Sequence, residues 1–594
     1  MCGIAGWVGA SHSPPHSAAV LDALRHRGPD MQCAEEWSGA HSGGELFFTR
    51  LAIVDLSECG SQPMSTEDGR LTMVFNGEIY NSPELRRECQ EAGHRFRSSM
   101  DGEVILHLWE TWGPDALSRL NGIFAVAIVD RLTDEVFLAR DPLGVKPLVY
   151  ACNADGLWFA SELRALLAAG APAGGEDTVA LAQFLSFLWI PAPRTPYSGI
   201  ASLEPGCVLC WASGRIRTQR YCPPLYPAEK PERVAAAVAV RELEHQLLKA
   251  VRRQLLSDVP IGIMASGGVD SSLIWWAAGD GVRQAFTIDW TGDRGDERLS
   301  EDTLTVRSLA TQLKTPVAYL SGEYVDARPS LSGDLFADPA HALTGVIAGA
   351  ASEAGYKVLF SGQGGDELFA GYRRHQIASL LHRPALKRMA PAAERLVGRH
   401  MGRGITREYA TRTFRALAER DPFASYMQLC TYSTASERAR VLGCTEGEVS
   451  NRAVWRRHRE IFESLPSRTS YLRKVMALDL NVYLPGLGLA YVDRAAMEHG
   501  VEVRVPWLDL ELVRWSLTLP DNVLLRRGRG KLLPKLLTAE RVSPLVARRA
   551  KRGFGAPAER VARGRQPGEK GFRQGRYFAL AADLVRRHRS EQNG

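Results

Sequence analysis

Cys2 could act as a nucleophile and as its own general base. The chain opens MCGIAGWVG, and removal of Met1, which the small following residue permits, leaves Cys2 with a thiol and a free α-amine. An α-amine titrates at about 7.7–8.0, close to the optimum for a general base at neutral pH. A cysteine at this position alone is weak support for catalysis, so the residues that would surround it decide the interpretation.

A second segment with chemical character is SGGVDSS, which directly follows the apolar run IGIMA and opens a predicted helix. Its two glycines let backbone N–H groups face an anion, and its serine hydroxyls add donors. It is neither a Walker A loop nor a dinucleotide-binding fingerprint. The segment therefore predicts a phosphate cradle made by Ser266, Gly267, Gly268, Ser271 and Ser272.

Another glycine-rich segment, KVLFSGQGGDELFAGY, runs from Lys357 to Tyr372. It repeats the order of apolar run, glycines and acidic residues. Hard carboxylate oxygens suit a hard cation such as Mg²⁺. We therefore expect Asp270 and Asp366 to form a magnesium site beside the phosphate cradle.

The predicted secondary structure that must position these residues follows two different patterns along the chain. In the first part of the chain, short apolar runs alternate with turns, which predicts strands over 71–81, 123–130 and 135–141 and a helix over 103–113. This pattern is typical of an α+β domain. From Arg233, helices alternate with the strand candidates IGIMA, QAFTIDW, VAYL and KVLFSG. Such alternation predicts an α/β domain with a parallel sheet, and a helical C-terminal part follows it.

The change between these two patterns predicts where one domain ends and the next begins. CPPLYPAEKPE, which ends at Glu232, holds four prolines in eleven residues and has linker composition. We therefore predict a first domain over 2–210, a linker over 211–232, a second domain over 233–560 and a basic tail over 561–594.

The basic C-terminus is open to two interpretations. Residues 541–594 carry 14 Lys and Arg against 4 Asp and Glu. Such a segment either binds nucleic acid or is an arginine-rich terminus that is solvated or faces an anionic substrate. The sequence shows no aromatic-stacking or recognition-helix motif, which favours the second interpretation.

Composition excludes several classes of protein. Of 594 residues, 45% are hydrophobic and 24% are charged, which excludes collagen-like and wholly disordered chains. No stretch approaches the roughly 18 uninterrupted apolar residues of a membrane span, and no basic region leads a secretory signal. We expect a cytoplasmic protein that binds no membrane. The ten cysteines fit reduced thiols, and the pair Cys207 and Cys210 lacks the partners that a zinc site needs.

The segments that follow Cys2 resemble, in order and spacing, those of class II glutamine amidotransferases. The resemblance spans nearly the whole first domain and implies an α+β sandwich of the N-terminal nucleophile hydrolase type, with glutamine hydrolysed at Cys2. The matching segments are RHRGPD (25–30), TRLAIVDL (49–56), NGEIYN (76–81), SSMDGEV (98–104) and RDPLGVKPL (140–148).

This resemblance also implies a role for each residue of the first site. The Asn76 side chain and the Gly77 N–H stabilise the oxyanion, since a glycine permits close approach. Arg50 binds the carboxylate of glutamine, and Glu78 and Asp101 bind its ammonium group.

The second domain resembles that of glutamine-dependent asparagine synthetases. SGGVDSS has the form SGGxDS of ATP pyrophosphatases, and three C-terminal segments match in order: YVDRAAMEHGVEVRVPWLD (491–509), GKLLPKLL (530–537) and RRAKRGFGAP (548–557). The resemblance implies ATP as co-substrate, Mg²⁺ on the departing pyrophosphate, and a nucleoside bound at Ser361 and Gly362. It assigns Lys531 to the transition state and offers Lys551 as a second phosphate contact. Ammonia from Cys2 would cross the interior and displace AMP from an acyl-adenylate.

Two departures weaken the transfer of the substrate. Gln363 stands in SGQG where the well-studied relatives carry a carboxylate, so an acid–base or charge-pairing task at that position must be reassigned. Pro534 interrupts the K-x-L-L-R pattern and leaves Lys535 at the arginine position.

Four hypotheses therefore stay open. The first is a ligase that amidates aspartate, and the second keeps the reaction on another carboxylic acid of a specialised metabolite. The third is a cyclising ligase resembling β-lactam synthetase, against which Cys2 argues. The fourth is a non-catalytic regulatory or nucleic-acid-binding homologue, and intact Cys2, Arg50, Asn76, Asp101 and SGGVDSS argue against it. The sequence leaves the assembly open, with a homodimer as one candidate.

Overall fold

The computed structural model describes residues 2–9, 17–39, 41–231, 233–289, 301–321, 330–381, 405–549 and 576–592. Two parts follow one another along the chain, an antiparallel sandwich and a parallel-sheet part with a helical extension. One apolar core runs across their junction, because Leu51, Ile123 and Val145 of the sandwich pack in the same cluster as Leu273 and Trp507 of the second part.

The first part is a sandwich of two six-stranded antiparallel sheets, with strand orders β10-β8-β9-β1-β3-β2 and β12-β11-β7-β6-β5-β4. Its strands are β1 Cys2–Gly9, β2 Met31–Ser38, β3 Gly43–Arg50, β4 Met64–Ser65, β5 Leu71–Ile79, β6 Gly122–Asp130, β7 Glu135–Arg140, β8 Val149–Cys152, β9 Gly156–Ala160, β10 Ala201–Ser202, β11 Cys207–Ala212 and β12 Arg215–Arg220. Its helices are α1 Ser17–Leu24, α2 Ser82–Glu91, α3 Glu103–Trp112, α4 Leu163–Ala168 and α5 Thr178–Phe187.

Both faces of the sandwich sheets are covered. The inner faces meet through Phe48 of β3 and Val74 of β5, while α1 and α4 pack on one outer face and α2 and α3 on the other. Strands β1, β3 and β5 are consequently buried along their whole length. The predicted α+β sandwich is confirmed.

The hairpin of β11 and β12 differs from the prediction, which places residues 211–220 in the linker. Arg215–Arg220 pairs with β11 as an edge strand, and all six of its residues are exposed. A strand with two solvated faces has no apolar run, so sequence patterning could not identify it.

The second part is built on a five-stranded, all-parallel sheet with order β15-β14-β13-β16-β17. Its strands are β13 Ile261–Met264, β14 Val282–Asp289, β15 Val317–Ser321, β16 Val358–Phe360 and β17 Glu502–Arg504, and a small hairpin pairs β18 Leu525–Arg526 with β19 Arg529–Gly530. The predicted parallel sheet is confirmed. The sequence did not predict β17, because two of its three residues are charged.

Helices make up most of the rest. They are α6 Ala236–Gln254, α7 Val269–Ala278, α8 Glu301–Leu313, α9 Ala340–Glu353, α10 Gly365–Leu368, α11 Arg373–Leu381, α12 Ile405–Ala418, α13 Pro422–Cys430, α14 Ala435–Leu442, α15 Asn451–Val454, α16 Arg456–Ser464, α17 Tyr471–Leu478, α18 Leu489–Met497, α19 Leu510–Thr518, α20 Asp521–Leu524, α21 Leu532–Arg541, α22 Pro544–Arg548 and α23 Arg576–Gln592. A π-helix, Asp479–Gly488, joins α17 to α18.

The continuous helix Tyr471–Met497 has the length and apolar composition of a membrane span. Within the described residues it is the one helix that does, but 83% of its apolar stretch is buried inside the protein. It is therefore accounted for as a core helix.

Part of the basic C-terminus is a packed helix. In α23, Ala581 and Val585 are fully buried, and Arg589 forms a two-pronged ion pair with Glu176. Over 576–592 the terminus is thus docked on the chain rather than solvated.

Candidate active sites

Cys2 begins β1 in the middle of one sandwich sheet. Its register partner on β3 is Arg50, so strand pairing alone places the candidate nucleophile beside the candidate carboxylate-binding residue. The Cys2 side chain is 5% exposed, and burial raises the pKa of its thiol. A thiol with a raised pKa needs a base, which the α-amine of Cys2 would supply once Met1 is removed.

Asn76, on β5 of the facing sheet, contacts Cys2 across the sandwich. Its Oδ1 accepts a hydrogen bond from the Cys2 nitrogen at 3.0 Å. Its Nδ2 is buried, and no atom of the described residues accepts a hydrogen bond from it. A buried donor without a partner costs free energy, so its presence beside a nucleophile indicates an oxyanion-binding role.

The next residue, Gly77, cannot carry a side chain. A Cβ at this position would lie 2.0 Å from the carbonyl oxygen of Ile123 on the paired strand β6. The predicted oxyanion donors, the Asn76 side chain and the Gly77 N–H, are therefore consecutive on a strand whose packing fixes both.

The Arg50 guanidinium is held by the loop that follows β3. It donates to the carbonyl oxygen of Ser57 at 2.7 Å and to that of Asp55. These bonds orient the planar group near Cys2, as a carboxylate-binding arginine requires.

The two carboxylates assigned to the glutamine ammonium are both buried. Asp101 accepts a hydrogen bond from the Ile79 N–H, and burial raises its pKa to about 6. Burial also raises the pKa of Glu78, although Arg504 opposes the shift. Glu78 Oε1 lies 3.0 Å from Nη2 of Arg504, an ion pair that the sequence did not predict.

Arg504 lies on β17 of the second part and is fully buried. Its Nε contacts Glu502 at 2.5 Å, and its Nη1 donates to the carbonyl oxygens of Gln254 and Leu256 at 2.7 and 2.6 Å. It thus anchors Glu78 of the first site to the sheet of the second part. Glu502 and Arg504 are two residues apart and therefore face the same side of β17, but nothing in this short charged strand indicates Glu78 as a partner.

A second link joins the nucleophile strand to the other part. Fully buried Arg27 donates from Nε to the carbonyl oxygen of Cys2 at 3.2 Å and from Nη1 to Asp493 on α18 at 3.0 Å. Lys146 Nζ lies 3.8 Å from Asp493. Asp493 belongs to the segment 491–509, which carried the family resemblance but suggested no role for this residue.

The predicted phosphate cradle lies at the carboxyl end of β13, where α7 begins at Val269. Gly267 has φ +64°, a left-handed conformation that favours glycine, and Ser266 Oγ lies 3.0 Å from Ser271 Oγ. Ser361 and Gly362 follow the neighbouring strand β16. A Cβ on Gly362 would lie 2.9 Å from the Ser271 nitrogen, so the nucleoside and pyrophosphate candidates adjoin.

Lys531 lies between the two predicted metal ligands. Its Nζ is 2.7 Å from Asp366 Oδ1 and forms an ion pair with Asp270 as well. Burial would lower the pKa of Lys531, but the two carboxylates raise it overall. Both carboxylates therefore converge on one cationic position, and their hard oxygens fit Mg²⁺. Lys551 lies outside the described residues.

The positions that depart from the family pattern have local explanations. Gln363 donates from Nε2 to the Tyr491 hydroxyl at 2.8 Å, so its amide has a defined partner. Pro534 is the third residue of α21, within the first turn, where a missing N–H breaks no helical hydrogen bond. Burial lowers the pKa of Lys535, the residue that follows Pro534.

Glu367 is a further candidate site residue, which the sequence analysis did not identify. It directly follows Asp366, is buried, and accepts a hydrogen bond from the Tyr372 hydroxyl at 2.5 Å. Burial, aided by the charge of Asp366, raises its pKa to about 7. Its position in GGDE next to a predicted ligand was the available signal.

Two family models match the chain: a glutamine amidotransferase domain over residues 1–222 and an asparagine synthase over residues 242–592. Asparagine synthetase (glutamine-hydrolyzing) 1 of Bacillus subtilis (strain 168) is 29% identical, covering 94% of this chain and 87% of the relative. Asparagine synthetase (glutamine-hydrolyzing) 2 of Arabidopsis thaliana is 30% identical over 63% and 61%. A solved glutamine phosphoribosylpyrophosphate amidotransferase of B. subtilis is 17% identical with a TM-score of 0.29, covering 54% of this chain and 65% of its own.

Proposed function

Because the chain belongs to the glutamine-hydrolysing asparagine synthetase family of carbon–nitrogen ligases, we propose that it transfers the amide nitrogen of glutamine to the carboxylate of aspartate. The products are asparagine, glutamate, AMP and pyrophosphate. The observation that carries the proposal is the unpartnered Asn76 Nδ2 beside Cys2, since a buried orphan donor has a use when an oxyanion forms there.

The first half-reaction takes place at Cys2. The α-amine of Cys2 takes the thiol proton, and the sulfur attacks the side-chain amide of glutamine. Asn76 Nδ2 and the Gly77 N–H donate to the oxyanion. The protonated α-amine then gives its proton to the leaving nitrogen, the C–N bond breaks, and ammonia leaves. Arg50 holds the glutamine carboxylate while Asp101 and Glu78 face its ammonium group. Water then hydrolyses the thioester to glutamate.

The second half-reaction takes place at the cradle formed by 266–272. The acceptor carboxylate attacks the α-phosphorus of ATP, pyrophosphate leaves, and an acyl-adenylate forms. Asp270 and Asp366 would hold Mg²⁺, which supplies charge neutralisation at the pyrophosphate. Lys531 stabilises negative charge in the transition state, and Ser361 and Gly362 contact the nucleoside. Ammonia attacks the acyl carbon, and AMP leaves as the amide forms.

We infer that ammonia crosses between the sites inside the protein. A cavity of about 70 Å³ lies at the junction of the two parts, lined by Arg140 and Ser202 of the sandwich and by Asn481 and Arg494 of the second part. Arg494 neighbours Asp493, which Arg27 ties to Cys2. A location in the cytoplasm, where ATP and glutamine are available, fits this chemistry.

Gln363 favours a second candidate, the same reaction on another carboxylic acid. An amide bound to Tyr491 replaces the carboxylate of the well-studied relatives, so the acceptor pocket differs in charge. Nucleic-acid binding has less support, because the described part of the basic terminus packs on α5 and pairs with Glu176.

A panel of carboxylic acids, assayed for pyrophosphate release with ATP and Mg²⁺, tests the proposal. We expect turnover of aspartate to exceed that of every other acid. Higher turnover of another acid would establish the second candidate. Formation of ADP and phosphate instead of AMP and pyrophosphate would contradict the reaction itself.

A further inference from the structure

Two imidazoles and a carboxylate, one of them buried and two partly exposed, meet beside α3 of the sandwich. His107 and Glu110 lie three residues apart on one face of α3, and His94 comes from the segment between α2 and α3. Their potential ligand atoms all lie within 4.8 Å of one another. Neither the proposed reaction nor the family resemblance uses these residues.

The ring nitrogens are arranged around one carboxylate oxygen. Nδ1 of His94 and Nδ1 of His107 lie 3.5 and 3.3 Å from Oε2 of Glu110. Ligands about 2.0–2.1 Å from a tetrahedral zinc ion are separated by roughly 3.3–3.4 Å. Two of the three separations therefore already match a zinc site.

The other nitrogen of each ring faces an outer partner. Nε2 of His107 is buried without a hydrogen-bond partner among the described residues and lies 3.7 Å from Oε1 of Glu103. Nε2 of His94 lies 3.3 Å from the Thr111 hydroxyl. A histidine that binds a metal through one nitrogen commonly directs its other N–H at a carboxylate or another acceptor.

Glu103 is itself held in place for this role. Its carboxylate accepts from the Arg97 N–H at 2.7 Å and from the Ser98 N–H and hydroxyl at 2.9 and 2.6 Å. The order Glu103, His107, metal would thus form the carboxylate–histidine–metal series of well-ordered sites.

We propose that His94, His107 and Glu110 bind a zinc ion, with water at the fourth position. Two imidazoles and one carboxylate suit zinc and disfavour Mg²⁺ and Ca²⁺, which take oxygen ligands. Glu110 and His94 are partly exposed, which leaves a path for the ion. The bound metal would fix residues 94–102 against α3, and this segment contains Asp101 of the glutamine site.

Titration of the full-length protein with Co²⁺ and then Zn²⁺ tests the site. We expect one Co²⁺ per chain with the visible spectrum of nitrogen and oxygen ligation, displaced by one Zn²⁺, and an increase in the unfolding temperature with Zn²⁺. Excess Mg²⁺, which would occupy Asp270 and Asp366, is present throughout and should not displace Co²⁺ from this site.

Three variants identify the ligands. His94→Gln and Glu110→Gln should weaken Zn²⁺ binding at least about 100-fold, beyond the loss that an outer partner produces. His245→Gln, an exposed histidine on α6, is the matched control and should bind like the parent. Equal binding by all three variants, a thiolate-to-cobalt charge-transfer band, or no stoichiometric binding by the parent would overturn the proposal.

Discussion

Each candidate site contains two carboxylates near a buried cation, but the cations differ in kind and origin. Glu78, Asp101 and Asp366 are buried, whereas Asp270 is partly exposed. In the glutamine site Arg504 contacts Glu78 and comes from the other part of the chain. In the nucleotide site Lys531 contacts Asp270 and Asp366, and all three belong to the same part.

The difference indicates different tasks for the two cations. Arg504 is fixed by Glu502 and by two backbone carbonyls, so its charge stays where it is. Lys531 has a flexible stem, and the ion-pair partners of its Nζ among the described residues are carboxylates, so it can turn towards a phosphate oxygen. We infer that Arg504 positions the glutamine clamp, whereas Lys531 takes part in the chemistry.

Replacement of Cys2 should have the largest effect, because it should remove the activity of one site and leave that of the other. Cys2→Ala should abolish glutamine-dependent synthesis, a loss of roughly 10⁴–10⁶-fold for a nucleophile, yet retain synthesis from free ammonia. Amide formation with each nitrogen donor measures the effect. Cys59→Ala, at an exposed thiol, is the control. If ammonia-dependent synthesis also disappears in a folded Cys2 variant, the sites are not separable.

Replacement of Lys531 should impair the nucleotide site and leave the glutamine site active. Lys531→Ala should lower AMP formation by about 10²–10³-fold, the cost of losing one electrostatic stabiliser of a transition state. Glutamine hydrolysis should remain. Lys249→Ala, at a surface ion pair, is the control. An unchanged rate of AMP formation would remove Lys531 from the chemistry.

Replacement of Arg504 should lower the stability of the protein and also weaken glutamine binding. Arg504→Gln removes the buried ion-pair partner of Glu78 and one partner of Glu502, at a cost of about 3–5 kcal/mol in unfolding free energy. Urea unfolding measures this cost, and exposed Arg526→Gln serves as the control. We also expect a higher KM for glutamine with an unchanged KM for ammonia. Equal changes in both KM values would indicate a purely structural role.

The pH dependence of glutamine binding should give the smallest effect. Asp101 has a pKa of about 6, raised by burial, so below this pH it becomes protonated and loses its attraction for the substrate ammonium. The Kd of glutamine for the Cys2→Ala variant, which lacks the thiol, should rise by up to about tenfold per pH unit below about 6. Asp101→Asn should bind weakly with a flatter profile. A flat profile in the Asp101-containing protein would contradict this role.

The sequence predicted what local pattern determines and missed what distant contacts determine. Apolar runs predicted β5, β6 and β7, which the structure confirms. The phosphate cradle at 266–272 stays a prediction, and the structure brings its residues beside Ser361 and Gly362. The polar edge strand β12 and the short charged strand β17 carry no such pattern.

Long-range pairs were out of reach for the same reason. Glu78 with Arg504, and Arg27 with Asp493, join residues more than 400 positions apart. The sequence around each residue does not indicate which distant residue it pairs with. The ion pairs become buried only when the two parts of the chain pack together.

Transfer of the glutamine nitrogen inside the protein is the central claim, and isotope labelling tests it most directly. Glutamine carrying heavy nitrogen in its amide group would be supplied with ATP, Mg²⁺, aspartate and an excess of unlabelled ammonium. The account predicts that the amide product is enriched in the heavy isotope far above the mixture in solution, with one AMP released per amide formed. A product with the isotope ratio of the solution would contradict it.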